Sequence, residues 1–431
     1  MHDEGFADGK RGIMDRLRIE GGHALRGAVA IAGAKNAALP QIAASLLSPY
    51  CLTLQNLPEV ADVANMLALM AQHGAAVTRD AGSATLDTAA ASPADTGYDT
   101  VRRMRATVLV LAPLLARFGQ ARVSLPGGCA IGARPVDMHV AALTALGAEI
   151  AIEGGLIHAR APGGLRGNRL VLPSPSVGAT ETAMMAATAA RGETEILNAA
   201  REPEVVDLAA CLAAMGARIE GAGTHRILIS GGTVWRPAIH RLIPDRIEAG
   251  TYAIAAAITG GQIELSGARL EHMAAVVQAL EAAGVRVWPG DRGLIVAGGG
   301  PLRATDITTE PYPGFPTDLQ AQFMALMTQA EGAAMIRETI FESRFMHVPE
   351  LSRLGANIRL QGTTAVVRGA TRLKGAPVMA TDLRASVCLV LAGLAAEGET
   401  VLNRLYHLDR GYEQLDVKLR RCGARIERIG P

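Results

Sequence analysis

Two rhythms of apolar positions alternate along this chain. Runs in which apolar residues recur three and four apart, the period of a helix with a buried face, give way to short β-branched stretches of the kind that form strands. The change falls at the same punctuation each time: "MAQHGAAV" with Gly74, "LTALGAEI" with Gly147, "LAAMGARI" with Gly216, "LEAAGVRV" with Gly284, "LSRLGANI" with Gly355 and "LRRCGARI" with Gly423. Each of these glycines stands where a helix must stop in a left-handed turn, which glycine adopts without steric cost. Upstream in each copy an alanine-rich helix runs into a tight turn and a short strand, as in "RFGQARVSL", "ARGETEILN", "ITGGQIELS" and "AEGETVLN".

One unit therefore reads helix, strand, loop, helix, glycine, strand, further strand. It recurs six times at a spacing of about 70 residues, well beyond the roughly 20 to 50 of solenoid repeats. Units of that size are compact, and they predict an α/β protein in which three pseudo-repeats build each of two globular halves. The length of 431 residues, above what a single core sustains, agrees. An even split places the junction near residues 240–245, where "IHRLIPDRIEAG" sets Pro244 between patterned segments. Substrate clefts favour such seams.

Charge narrows the function classes. A formal net charge of +1 without any block of like charges argues against nucleic acid or an anionic membrane surface as partner. The longest apolar stretches, 108–116 and 385–396, fall short of the roughly 20 residues that span a bilayer, so no membrane insertion is expected. Residues 1–13 lack an apolar h-region and read as a disordered tail ahead of Met14 rather than a secretory signal. Five cysteines, odd in number and dispersed without zinc-site pairing, fit free thiols in a reducing compartment, hence a cytoplasmic protein. No metal and no cofactor is implied, and no obligate protein partner is evident. Only four of the basic residues are lysine (Lys10, Lys35, Lys374, Lys418), so a retained lysine is informative.

The candidate chemistry is concentrated in loops and helix entrances. In "SLPGGCAIGARPVDMHV" the density of glycine and proline precludes regular structure around Cys129, and Arg134 stands nearby. A thiol there stays accessible and tunable, whereas Cys51, Cys211, Cys388 and Cys422 read as small buried apolar residues. Helix N-termini favour anions. Those that open the units carry Lys35 and Asn36, Arg105, Ser176 with Val177, Asp318, and Asp382 with Arg384; loops add Arg344 and Arg410. Cations at equivalent entrances can converge on one polyanion. Several of these residues also have plain structural readings. Thr317 with Gln320 matches a capping box that would make Asp318 a helix-dipole partner. Asp409 beside Arg410 matches an exposed ion pair. His347 and His407 read as structural hydrogen-bonders, and Asp137 and His139 as ordinary helix-entry residues. Composition and spacing alone stop at an α/β repeat protein with an anion-binding cleft and a reactive thiol.

The segments "AGAKNAALP", "LPGGCAIGARPVD", "FPTDLQAQF", "FESRFMHVPEL", "ATDLRAS" and "YHLDRGYE" together closely resemble the family of UDP-N-acetylglucosamine 1-carboxyvinyltransferases, from about Met14 to Ile429. The cysteine loop is specific to that family and is lacking in the EPSP synthases, its relatives in fold. The resemblance implies a two-domain inverted α/β barrel of the EPSP synthase type, with one domain of residues 35–243 and the other of 14–34 plus 244–431. It implies phosphoenolpyruvate and UDP-N-acetylglucosamine as substrates.

Roles carry over residue by residue. The resemblance makes Cys129 the general acid and reactive thiol, and Asp318 the carboxylate that accepts or orients the proton of the sugar hydroxyl. Lys35, Arg134 and Arg410 would hold the phosphate, Arg344 and Arg384 the carboxylate or the intermediate, and Asn36 the sugar. Contacts to the nucleotide sugar would come from Arg105, from Arg134, Pro135, Val136, Asp137 and Met138, from Ser174, Pro175, Ser176 and Val177, and from Ile340. The chain departs from the family at Ser174 and Ala61, where lysines are common. Two rival readings are a transferase acting on another acceptor and a non-catalytic nucleotide-sugar-binding homologue.

Overall fold

The computed structural model describes residues 15–94, 105–125 and 136–430. The expected tail, residues 1–13, and the loop bearing Cys129, Arg134 and Pro135 lie outside the described residues, as does the side chain of Arg105.

All six punctuating glycines have positive φ, from 87° at Gly74 to 119° at Gly216. The helix-to-strand switch therefore occurs where the sequence pattern changes. Six helices open the units: α1 (Lys35–Ala44), α2 (Leu111–Phe118), α3 (Val177–Ala189), α4 (Arg246–Ile258), α5 (Gln320–Met327) and α6 (Leu383–Ala395). They are buried almost all round, completely so from Ile247 to Ile258 in α4 and from Arg384 to Leu394 in α6. A helix without a polar face belongs in a core, and α4, α5 and α6 pack on one another while α2 packs on α3. The second helix of a unit is one-sided. Ala61–Gln72, for example, buries Val63, Met66, Leu67 and Met70.

Outside the helices lie five four-stranded sheets and one three-stranded sheet among the described residues. The four-stranded sheets share one plan. In the first, Ala238–Arg241 pairs parallel to Leu52–Gln55, which runs antiparallel to Ser83–Asp87, itself antiparallel to Ala76–Asp80. The edge strand at 238–241 thus returns to the first unit and closes the first half on itself. In the second half the start of the chain does this. Arg16–Glu20 lies antiparallel between Glu399–Asn403 and Arg425–Ile429, and Arg26–Ala30 runs parallel to Gln262–Ser266. Two apolar cores result, one drawn from residues 17–31 and 247–426, the other from 34–242. This is the two-lobed α/β arrangement of six pseudo-repeats.

The chain crosses between the lobes twice, and the two crossings touch. The Ala34 N–H donates to Ile243 O at 2.8 Å and the Asp245 N–H to Ala32 O at 2.9 Å. Gly33 is required there, because a Cβ would lie 1.7 Å from the carbonyl oxygen of Asn56. Asp245 caps α4 by accepting from the N–H groups of Ile247 and Glu248, and its other oxygen accepts from the N–H of Lys35 at 3.2 Å. The entrances of α1 and α4, one in each lobe, are therefore pinned by a single carboxylate.

The structure departs from the sequence reading at Cys51 and at two histidines. Cys51 is exposed, at the turn before Leu52, where no core covers it; Cys211, Cys388 and Cys422 are buried. The retained Lys418 has a structural role: half-buried, it pairs at 2.7 Å with the buried Glu248, whose other oxygen accepts from the Ala32 N–H. One ring nitrogen of each histidine read as a hydrogen-bonder, Nε2 of His347 and Nδ1 of His407, is buried without a partner among the described residues. No described helix is long and apolar enough to cross a membrane.

Candidate active site

The seam between the lobes gathers four cations around two carboxylates. Lys35, the first residue of α1, places Nζ 3.1 Å from Asp62 Oδ2, and Arg410 of the other lobe places Nε 3.0 Å from Asp62 Oδ1. Asp62 is only 2% exposed. Burial by itself would raise its carboxyl, but Lys35 and Arg410 outweigh that and hold it below the usual carboxylate range. Arg410 does not pair with Asp409 as its neighbour in sequence suggested. Asp409 instead takes both Nη atoms of Arg428, leaving Arg410 free to face the seam.

Asp318 organises the second group. Its Oδ1 lies 2.7 Å from Arg344 Nη2 and its Oδ2 lies 2.6 Å from Arg384 Nη2, while Nδ2 of Asn36 reaches Oδ2 from the opposite lobe at 3.5 Å. Burial pushes this carboxyl up, yet Arg384, Arg344 and the field of Lys35 carry it well below the usual range. The capping box read at Thr317 and Gln320 does not form. No side-chain cap is present there, and the Thr317 hydroxyl donates to Glu338 and accepts from Arg344 instead. Arg384 is fixed by Tyr412, whose hydroxyl sits 3.1 Å from Nη1, 2.9 Å from Thr251 of α4 and 3.3 Å from Gln322 of α5.

Among these groups four positive charges face two negative ones. The surplus of two suits a small polyanion. At about 4 Å each unit-charge attraction grows from roughly 1 kcal/mol in water to roughly 4 kcal/mol at the effective dielectric of a protein surface.

The segments expected at the nucleotide sugar are partly brought together. Val136 precedes the helix Asp137–Ala145, whose Met138 sulfur lies 3.9 Å from the Ser174 hydroxyl, and His139 Nδ1 is 2.8 Å from the Thr182 hydroxyl of α3. Burial lowers the His139 imidazole to about 4, so it is a neutral partner rather than a base. Ser176 caps α3 through the Ala179 N–H, with Pro175 before it and Val177 as the first helical residue. A Cβ on Gly178 would come within 2.9 Å of the His139 ring, so the two helix entrances touch. Arg105 opens the 3₁₀ turn Arg105–Val110 leading into α2. Ile340 lies in the other lobe, its N–H donating to Glu338 at 2.8 Å. Asp382 is a helix cap, accepting from the N–H groups of Arg384 and Ala385. Groups of three or more potential metal ligands are absent among the described residues.

Known proteins match this chain over almost its whole length. The sequence profile of EPSP synthase (3-phosphoshikimate 1-carboxyvinyltransferase) matches residues 19–419. The UDP-N-acetylglucosamine 1-carboxyvinyltransferase 2 of Mesorhizobium japonicum is 78% identical over 416 residues, covering 96% of this chain and 100% of that protein. The chain belongs to the UDP-N-acetylglucosamine 1-carboxyvinyltransferase family.

A second member of that carboxyvinyltransferase family, from Gluconacetobacter diazotrophicus, is 59% identical over 419 residues, 96% of this chain and 100% of its own. Among solved structures, the enolpyruvyl transferase NikO from Streptomyces tendae superposes with a TM-score of 0.87 at 29% identity, covering 97% of this chain and 100% of its own. An EPSP synthase from Acinetobacter baumannii gives a TM-score of 0.74 at 18% identity, covering 96% and 100%, a likeness of fold.

Sequence reasoning missed three residues that organise this site: Asp62, Glu338 and Tyr412. Asp62 carries a faint signal, a carboxylate at the entrance of a one-sided helix directly after Ala61. Tyr412 stands in the quoted segment "YHLDRGYE", where its role was not read, and Glu338 carries no signal, since its partners Thr309 and Thr317 are remote in sequence.

Proposed function

We propose that this protein transfers the enolpyruvyl group of phosphoenolpyruvate to the 3′-hydroxyl of UDP-N-acetylglucosamine with release of phosphate, the first committed step of peptidoglycan biosynthesis. The observation that carries the reading is Asp318, an ionised carboxylate between Arg344 and Arg384 with Asn36 of the facing lobe against it.

The chemistry suits that arrangement. Protonation of the methylene carbon of phosphoenolpyruvate makes the adjacent carbon oxocarbenium-like, and the sugar hydroxyl attacks it. An attacking hydroxyl becomes strongly acidic as its C–O bond forms, so a weakly basic carboxylate such as Asp318 suffices to take the proton. The tetrahedral intermediate then loses a proton from its new methyl group and expels phosphate, which regenerates the enol ether. Lys35 and Arg410 hold the phosphate, with Arg134, and Arg344 and Arg384 hold the carboxylate. Cys129 delivers the first proton, which requires its neutral thiol. Arg105, residues 134–138, residues 174–177 and Ile340 bind the nucleotide sugar.

In this reading residues 35–243 form one domain and 14–34 plus 244–431 the other, and substrate binding draws them together about the paired crossings at Gly33 and Pro244. The protein works in the cytoplasm, where both substrates are made. Mass spectrometry of a reaction containing both substrates tests the reading: the product is the 3′-enolpyruvyl ether of UDP-N-acetylglucosamine, and recovery of unmodified nucleotide sugar overturns it.

A further inference from the structure

Glu338 is completely buried and not paired with a lysine or arginine among the described residues, yet its carboxylate is fully used. Oε1 accepts from the Thr309 hydroxyl at 2.8 Å and from the N–H groups of Ile340 and Phe341 at 2.8 and 3.0 Å. Oε2 accepts from the Thr317 hydroxyl at 2.8 Å. That hydroxyl in turn accepts from Arg344 Nη1 at 2.9 Å.

The direction of this chain of bonds is forced. A guanidinium only donates and a carboxylate only accepts, so the single hydroxyl hydrogen of Thr317 points to Glu338 and its lone pair to Arg344. Arg344 is 6% exposed and thus held on two edges, by Asp318 directly through Nη2 and by Glu338 indirectly through Nη1. The two holds respond differently to the reaction. When Asp318 takes the sugar proton it becomes neutral, and its charge-assisted bond to Arg344 weakens. The bond from Arg344 to the Thr317 hydroxyl does not involve the carboxylate that takes the proton, so it is retained.

We propose that Glu338, acting through Thr317, is a positioning residue that keeps the Arg344 guanidinium in place while Asp318 carries the proton. The same carboxylate fixes the backbone of Ile340, so the arginine and the sugar-side loop are set by one buried group. The inference rests on the roles given to Asp318 and Arg344 above.

Three variants of the full-length protein test it: Thr317→Val, which keeps the shape and removes the hydroxyl, Thr317→Ser, which restores it, and Glu338→Gln. Turnover is measured against pH, and the dissociation constant for UDP-N-acetylglucosamine by calorimetry. Thr317→Val is expected to lower kcat about ten-fold or more with nucleotide-sugar affinity within about two-fold of wild type. Its acid limb should move to higher pH, since a loosened Arg344 supports the Asp318 carboxylate less. Thr317→Ser should recover turnover to within about two-fold, and Glu338→Gln should fall between the two. Wild-type turnover in Thr317→Val, or equal loss in the valine and serine variants, overturns the proposal. Should the valine variant fail to fold, wild-type kcat in Glu338→Gln overturns it and a reduced kcat at unchanged affinity supports it. Absence of turnover in the wild-type protein would overturn the function itself, a result distinct from these.

Discussion

Arg410 and Asp62 stand 348 residues apart in sequence, and the Nε of one lies 3.0 Å from Oδ1 of the other across the seam between the lobes. Lys35 shares the same carboxylate, so Asp62 sets the distance between two cations, one from each lobe.

Asp62→Ala should therefore separate Lys35 from Arg410 and lower kcat/KM for phosphoenolpyruvate at least ten-fold, which corresponds to about 1.4 kcal/mol. Steady-state kinetics with the nucleotide sugar saturating gives the answer. Unchanged kcat/KM would mean that phosphate is held elsewhere.

Arg384→Lys keeps the charge but removes the fork that reaches Tyr412 and Asp318 together. Turnover is expected to fall by about 100-fold, in the range of losing one charge-stabilising donor. Tyr412→Phe leaves the direct contact to Asp318 and should cost less. A lysine variant as active as wild type would show that the fork geometry is immaterial.

How much of this was readable in advance divides by locality. The six glycines were legible because a helix that ends in a left-handed turn imposes its requirement at one position, and every one of them has positive φ. The cation set was visible in part, since Lys35, Arg344, Arg384 and Arg410 lie in distinctive segments. Of their two carboxylate partners, Asp318 was legible and Asp62 was not. The partners of Asp62 are 27 and 348 residues away, and no local rule reaches that far. Thr317 shows how a correct local pattern fails: the capping box with Gln320 was available, but two charged groups, Glu338 and Arg344, outcompete it for the hydroxyl. Cys51 was misread because residue type was weighed without its place at an exposed turn.

Acid should destabilise the fold through His347. Burial, with Arg344 adding to it against Asp382, lowers its imidazole to about 4 from the model-peptide value of 6.5. A histidine with a depressed native value binds protons preferentially when unfolded, so its contribution is complete above about 6.5 and is lost as pH falls towards 4. At pH 5 the loss is about 2 kcal/mol. Denaturant unfolding at pH 7 and pH 5 should show that difference reduced in His347→Gln; an undiminished difference would place the acid sensitivity elsewhere, with His139 as the next group to examine.

Cys129→Ser should severely impair turnover and abolish covalent inactivation by fosfomycin, an epoxide that resembles phosphoenolpyruvate. Intact-mass spectrometry after incubation reads the adduct directly. Full labelling of the serine variant would remove Cys129 from the mechanism.

If the four cations at the seam bind phosphoenolpyruvate for reaction with a nucleotide sugar, phosphate release must depend on that acceptor. Release of inorganic phosphate from phosphoenolpyruvate, followed in parallel with UDP-N-acetylglucosamine, with shikimate 3-phosphate and with no acceptor, tests it most directly. Sustained release is expected only with UDP-N-acetylglucosamine; release that depends on shikimate 3-phosphate, or none in any arm, would rule the assignment out.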